Sequence, residues 1–145
     1  MSGTRVVGRI LGLDIGEKWI GVAMSDPTGT LASPLTRIGA SDPETTIETI
    51  CQLVNQHQVA RIVSGMPYSL DGSLGPQARR VEDFLQRLSQ RLDVPIETWD
   101  ERFSTVDAQQ RMMEAGIRKE KIRERLDAAA AAVILQEYLD NARPS

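Results

Sequence analysis

Residues 9–26 read RILGLDIGEKWIGVAMSD, two apolar runs joined by a short glycine turn, with an aspartate, Asp14, inside the first. Runs of this kind on either side of IGE predict a hairpin, with strands over residues 8–14 and 18–25. A third extended run, LASPLTRI (31–38), follows the turn signal DPTG and completes an antiparallel meander. Beyond it the signals alternate. SDPETTIETICQLVNQHQ opens with Ser41 or Asp42 as N-cap and Pro43 in the first turn, and places Ile47, Ile50, Cys51 and Val54 on one helical face. Then come a strand (VARIVSGM, 59–66), a helix from about Pro76 to Leu92, a strand (PIETWD, 95–100), a helix capped by Ser104 that stops at Gly116, and a last helix from about Lys119 to Asp140. Strands alternating with helices need crossover connections and run parallel. The order β-β-β-α-β-α-β-α-α therefore predicts an α/β fold with a mixed five-stranded sheet, three antiparallel strands followed by parallel ones, flanked by helices. In such a sheet the first strand is paired on both sides and covered on both faces. Asp14 becomes a carboxylate at the centre of the sheet.

Composition narrows the function classes. With 145 residues, 41% apolar and 26% charged, and no linker, repeat or low-complexity tract, a single domain over residues 1–145 is expected. The lone Cys51 allows no internal disulfide and no thiolate metal motif, and no apolar stretch of signal or membrane length stands near the N-terminus. A cytoplasmic protein without a membrane partner is the expectation. The net charge of −3 comes from 17 basic and 20 acidic residues, so any contact with nucleic acid must be local. His57, the only histidine, falls at the polar end of a helix, and no serine or cysteine has a visible partner base. Hydrolytic triads lack support.

Three acidic residues carry the chemistry. An aspartate before Ile15-Gly16 is open to a plain reading as a turn residue bonded to its own backbone. In ERLDAAAAAVILQEYL, however, Asp127 has Ala130, Ala131, Ile134 and Tyr138 at i+3, i+4, i+7 and i+11, so it shares their apolar face. The alanines at 128–132 let that helix approach the sheet closely and carry Asp127 inward. The competing reading makes Asp127 an N-cap; Ile122 and Leu126 continue the apolar spacing upstream and favour a helix already under way. In ETWDERFST one of Asp100 and Glu101 faces the core side, since strand side chains alternate. Glu101 is the candidate, at the carboxyl end of a parallel strand, where α/β sheets gather their chemistry; a solvated residue paired with Arg102 is the bland alternative. Three carboxylates in a sheltered place need a positive partner, and a lysine or arginine, such as the nearby Lys18, would serve. Oxygen-only donors without histidine or thiolate match Mg²⁺ or Mn²⁺, and two such ions can drive phosphodiester cleavage. Asp100, Asp26 or a substrate phosphate would supply a fourth ligand.

Four blocks, GLDIGEKWIGVAMSD, GMPYSLDGSLGPQARRVEDFL, DERFSTVDAQ and LDAAAAAVILQEYLD, together resemble the YqgF (RuvX) family, relatives of Holliday junction resolvases with an RNase H-like fold. The resemblance covers almost the whole chain. It implies an endonuclease that matures the 5′ end of the 16S ribosomal RNA precursor, acting on RNA or ribosomal particles and also on branched DNA, with the metal-binding triad on Asp14, Glu101 and Asp127. One departure stands out: the family pattern commonly has lysine then arginine where this chain has Lys18 then Trp19, which removes a cation and offers an indole for base stacking.

Further nucleic-acid contacts are expected at Lys18, at Arg79 and Arg80 in the first turns after Gly75-Pro76, and at Lys119 and Lys121 in RKEKIRER. Each has an ordinary counterpart: solvated helix surface for the arginine pair, a salt-bridged helix face for the lysines. Tyr68 either stacks on an unpaired base or covers the sheet edge. A monomer or homodimer is expected. The alternatives to a nuclease are an RNA-binding or transcription-elongation factor on the same scaffold and, less suited to 145 residues, an actin-like or sugar-kinase-like ATPase.

Overall fold

The computed structural model describes residues 8–69, 71–101 and 119–142. Its elements are β1 (Arg9–Ile15), β2 (Trp19–Ser25), β3 (Ala32–Gly39), α1 (Pro43–His57), β4 (Val59–Met66), α2 (Pro76–Ser89), β5 (Ile96–Asp100) and α3 (Lys119–Ala142). The five strands form one sheet in the order β3-β2-β1-β4-β5. β2 pairs antiparallel with both β1 and β3, whereas β1–β4 and β4–β5 are parallel. This is the mixed sheet expected from the sequence, and β1 is its central strand. The helix expected over 104–116 lies outside the described residues.

Local chemistry sets the boundaries. Asp42, not Ser41, caps α1, its carboxylate accepting from the Glu44 amide at 3.3 Å and the Thr45 hydroxyl at 2.7 Å. At the other end Gln58 takes a left-handed conformation, φ 53°, and the chain passes straight into β4. α2 stops at Ser89, short of the expected Leu92. There the Arg91 amide bonds to the Leu88 carbonyl at 3.0 Å, tightening the last turn ahead of Pro95.

The two faces of the sheet are packed differently. On one, Leu11, Leu13 and Ile15 of β1 join Ile20, Val22 and Ile62 against Ile47 and Ile50 of α1 and Val81 and Leu88 of α2. On the other, Ile10, Ala23 and Val63 meet Ala131, Leu135, Tyr138 and Leu139 of α3. This second layer is thin. A methyl group added at Gly12 would lie 2.8 Å from the Leu135 Cβ, and one at Gly21 would lie 1.8 Å from the Asp127 carbonyl oxygen. Glycines on the sheet and alanines on the helix thus bring two backbones almost into contact, the sheet's half of which went unread in the sequence.

Polar contacts fix how far α3 slides along the sheet. Its Gln136 side chain accepts from the Ala32 amide at 2.9 Å and donates to the Thr30 carbonyl at 3.1 Å, tying the helix to the β3 side. Toward β5, the Tyr138 hydroxyl bonds to Glu97 and accepts from Arg61 at 2.8 Å, and Arg61 also pairs with Glu97. The Tyr138 ring meets Trp99 edge-on at 6.4 Å. Among the described residues no helix is long and apolar enough to cross a membrane.

Gly21→Ala should therefore cost about 3 kcal/mol or more, because the obstructing atom is backbone and cannot rotate away. Gly39→Ala, whose added methyl has only the Trp19 ring at 3.9 Å, should change stability by less than about 1 kcal/mol. Urea denaturation of the two variants checks this, and equal midpoints would contradict it.

Candidate active site

Asp14 is the next-to-last residue of β1 and stands opposite Gly21 of β2. By strand alternation with Ile10 and Gly12 its side chain projects to the α3 face. Glu101 follows β5 directly and shares the parity of Trp99, which packs on the same face. β4 lies between their two strands, and there Gly65 leaves the way open: a methyl on it would sit 2.5 Å from a Glu101 carboxyl oxygen. Across that gap the Asp14 and Glu101 carboxyl groups form a hydrogen bond.

Burial is the main reason both carboxyls hold protons more tightly than usual. Glu101 is pushed up to about 8, first by burial and then by its hydrogen bond to Asp14 and the charges of Asp14 and Asp100. Asp14 is raised by burial and by the charge of Asp127, while the hydrogen bond from Glu101 works against the rise. As a pair, Asp14 and Glu101 hold a proton between them more tightly than two separate carboxyls would.

Asp127 sits well inside α3, which begins at Lys119, so it is not an N-cap. Its carbonyl lies over Gly21 and its side chain faces Arg37, with Oδ2 3.5 Å from Nη1. Arg37 also approaches Glu124 at 3.9 Å and lays its guanidinium 3.7 Å from the centre of the Trp19 ring. Arg37 pairs with Gly21 in β3, so Asp14, Gly21 and Arg37 form one row across three strands. The row reads acid, gap, base, with the Asp127 backbone in the gap. Sequence reasoning missed Arg37, because its place in this row is set by the register between strands rather than by the pattern of one strand. Among the described residues no three carboxylate, imidazole or thiol side chains are disposed to hold one metal ion. Two of the expected ligands touch, and the third lies alongside, engaged by arginine.

Asp26 is placed away from this cluster. It follows Ser25 at the far end of β2 and serves a turn, accepting from the Thr30 and Leu31 amides at 2.8 and 2.9 Å and from the Thr28 hydroxyl, bonds that hold its carboxyl far below the usual range. Asp100, one residue earlier in the strand, points to the opposite face from Glu101, and its charge raises the Glu101 pKa. Lys18 is exposed in the β1–β2 turn, and its carbonyl accepts from the Ala40 amide at 2.8 Å. Arg80 donates to Glu17 in that turn at 3.0 Å and to Gln77 at 2.8 Å, while Gln77 donates to the Ile15 carbonyl at 3.2 Å. The start of α2 is thereby held beside the carboxyl end of β1, with Arg79 exposed on its first turn and Gly75 providing no side-chain cap. Tyr68 packs, partly buried, against the α1–α2 core. Lys119 and Lys121 stand in the first turn of α3, and their side chains lie outside the described residues.

A family model described as RuvX: Holliday junction resolvase matches residues 8–141. Over 136 residues the chain is 45% identical to a protein of Roseiflexus sp. (strain RS-1), covering 94% of this chain and 96% of that one. Over 130 residues it is 49% identical to a protein of Dehalococcoides mccartyi, covering 90% and 96%. Both relatives bear the name "Putative pre-16S rRNA nuclease". Among solved structures, the Fowlpox virus resolvase with substrate Holliday junction DNA superposes with a TM-score of 0.58 at 12% identity, over 94% of this chain and 99% of that one. T. thermophilus RuvC with a Holliday junction substrate gives 0.55 at 13% identity, over 92% and 94%. At these identities the likeness concerns the fold, which is the RNase H-like fold of RuvC-type resolvases.

The shared proton has a consequence for stability. Glu101 titrates near 4.5 when unfolded and near 8 when folded, so its contribution is complete below about pH 4.5 and is lost as pH rises through about 8. In EDTA, the urea midpoint of the parent protein should fall between pH 5 and pH 8 more steeply than that of Glu101→Gln, which keeps a hydrogen-bond donor without a titrating proton. Parallel pH profiles would contradict the shared proton.

Proposed function

Because this chain belongs to the RuvX family, we propose that it is a divalent-metal-dependent endonuclease that cuts phosphodiester bonds of structured RNA, with the 5′ end of the 16S ribosomal RNA precursor as its natural target in the cytoplasm and branched DNA as a further substrate. The observation that carries the reading is the sheltered Asp14–Glu101 pair beside Asp127, at the carboxyl ends of β1 and β5. Two carboxyls kept together by a proton form a site where a cation can take the proton's place. The donors are all oxygen, which fits Mg²⁺ or Mn²⁺ rather than a softer metal.

Asp14, Glu101 and Asp127 would hold the metal, which when bound supplies an activated water and positive charge at the leaving oxygen. The protein's own part is positioning and charge. Asp14 is positioned by its pairing with Gly21, next to Leu13, which pairs with β4 on the other side, so its backbone is held in the sheet. Glu101 must give up its proton before it can act as a ligand, and the expulsion of that proton is favoured by an arriving cation. Arg37 balances Asp127 in the metal-free protein and has to exchange partners for Asp127 to turn toward the pair. Lys18, Arg79, Arg80, Lys119 and Lys121 are the proposed phosphate contacts, the first three clustered where α2 meets the β1–β2 turn. The protein is proposed to act as a monomer or homodimer.

One observation favours a second reading, a non-catalytic RNA-binding protein: Arg37 already neutralises Asp127, and the described residues form no three-ligand cluster. The two readings separate on the carboxylates. Asp14→Asn and Glu101→Gln should each reduce Mg²⁺- or Mn²⁺-dependent cleavage of precursor RNA by on the order of 10²-fold or more, the scale on which losing one preorganised electrostatic group acts. RNA affinity should stay within a few-fold. Parent protein that binds the RNA and leaves it intact with either ion present would establish the binding reading instead.

A further inference from the structure

Trp19 opens β2 and is 42% exposed, an unusual placement for so large an aromatic residue. The ring is nonetheless held. Arg37 covers one face at 3.7 Å, and Gly39, its partner across the strands, leaves room beside it. It forms one wall of a groove of about 490 Å³ between β3 and α3, with Leu35, Arg37, Arg125, Ala128 and Ala129 among the other walls. A one-residue bulge opens that groove: Val22 pairs with Thr36 and Ala23 with Pro34, so Leu35 is left unpaired and stands 42% exposed. The volume falls in the range of ~300–1,000 Å³ seen for small-ligand sites.

The groove adjoins the acidic cluster through Arg37, which lines it and pairs with Asp127. Arg37 bridges Trp19 to Asp127, so a molecule lying on the indole reaches the acidic cluster through a single side chain. An aromatic face backed by a guanidinium suits a flat, unpaired base, and every base offers a π-face. Arg37 and Arg125 provide positive charge for the neighbouring phosphate, against Glu124 and Asp127 on the same side. Small alanines at 128 and 129 leave the floor open.

The geometry points to a nucleotide subsite in this groove: one unpaired base of the substrate stacks on Trp19, and the phosphate next to it rests on Arg37 and Arg125. This rests on the nuclease reading and adds to it a demand for a single-stranded nucleotide beside the bond to be cut. A base within a duplex is already stacked on its neighbours and cannot enter.

Tryptophan emission tests the subsite without cleavage. The sequence has two tryptophans, so Trp99→Phe leaves Trp19 as the only one and keeps an aromatic ring against Tyr138. Titrated in EDTA with a single-stranded hexaribonucleotide, this protein should show saturable quenching. In the parent background Trp19→Ala should weaken binding of the same oligonucleotide by about tenfold, whereas Trp19→Phe stays within about threefold. A deoxyribonucleotide of the same sequence, in a second titration, reports whether the ribose contributes; quenching by either strand supports the subsite. Quenching by duplex alone, saturated binding without any change in emission, or unaltered affinity in Trp19→Ala overturns it. Protein that quenches but never cuts with Mn²⁺ present overturns the nuclease reading and leaves the subsite standing, and protein that cuts without quenching does the reverse.

Discussion

The backbone of α3 lies against the sheet with no side chain between Gly21 and the Asp127 carbonyl, and the site is built on that contact. A helix normally stands off a sheet by the depth of its side chains. Here Gly12, Gly21 and Gly65 on three neighbouring strands and the alanines of α3 remove most of that layer. Asp127, carried on the helix, comes down level with Asp14 on the central strand, and Glu101 reaches across Gly65 from β5. Gln136 at one sheet edge and Tyr138 at the other keep the helix from sliding. Apolar packing farther along α3 thus offsets the cost of sheltering acidic groups at its start.

That shelter has an electrostatic cost which the protein meets in two ways. Asp14 and Glu101 share a proton, and Asp127 is set against Arg37. In the proposed function both arrangements are exchanged: the proton for a metal ion, and the Asp127 partner of Arg37 for another anion such as a phosphate. Like charges held close together by a rigid sheet are the usual condition for raised carboxyl pKa values. At the carboxyl end of β1 the first turn of α2 is tied to the β1–β2 turn, and Trp19, which follows that turn, lines the groove on the other face.

Much of this was legible in the sequence because it depends on short-range periodicity. The meander followed from three apolar runs with turn signals between them, and the parallel half from alternation of strand and helix. Asp127 was placed by helical spacing; strand parity left Asp100 and Glu101 as alternatives, and the position at a strand's carboxyl end together with the family resemblance pointed to Glu101. What was not legible depends on register between strands. The bulge at Leu35 shifts β3 by one residue and brings Arg37 opposite Gly21, a step fixed by pairing geometry that a single strand's pattern does not contain. The glycines of β1, β2 and β4 share an orientation toward α3 that no single strand's pattern reveals. Asp26, weighed as a fourth ligand, belongs to a local turn whose hydrogen bonds use the residues that follow it.

The central claim is that the paired carboxylates are a cation site held shut by a proton. Anomalous diffraction from crystals grown with Mn²⁺ tests it most directly. The account predicts a strong peak between the Asp14 and Glu101 carboxylates, with the Asp127 side chain released from Arg37 and turned toward it. A map with no peak there, and with Glu101 still bonded to Asp14 and Asp127 still on Arg37, would contradict it.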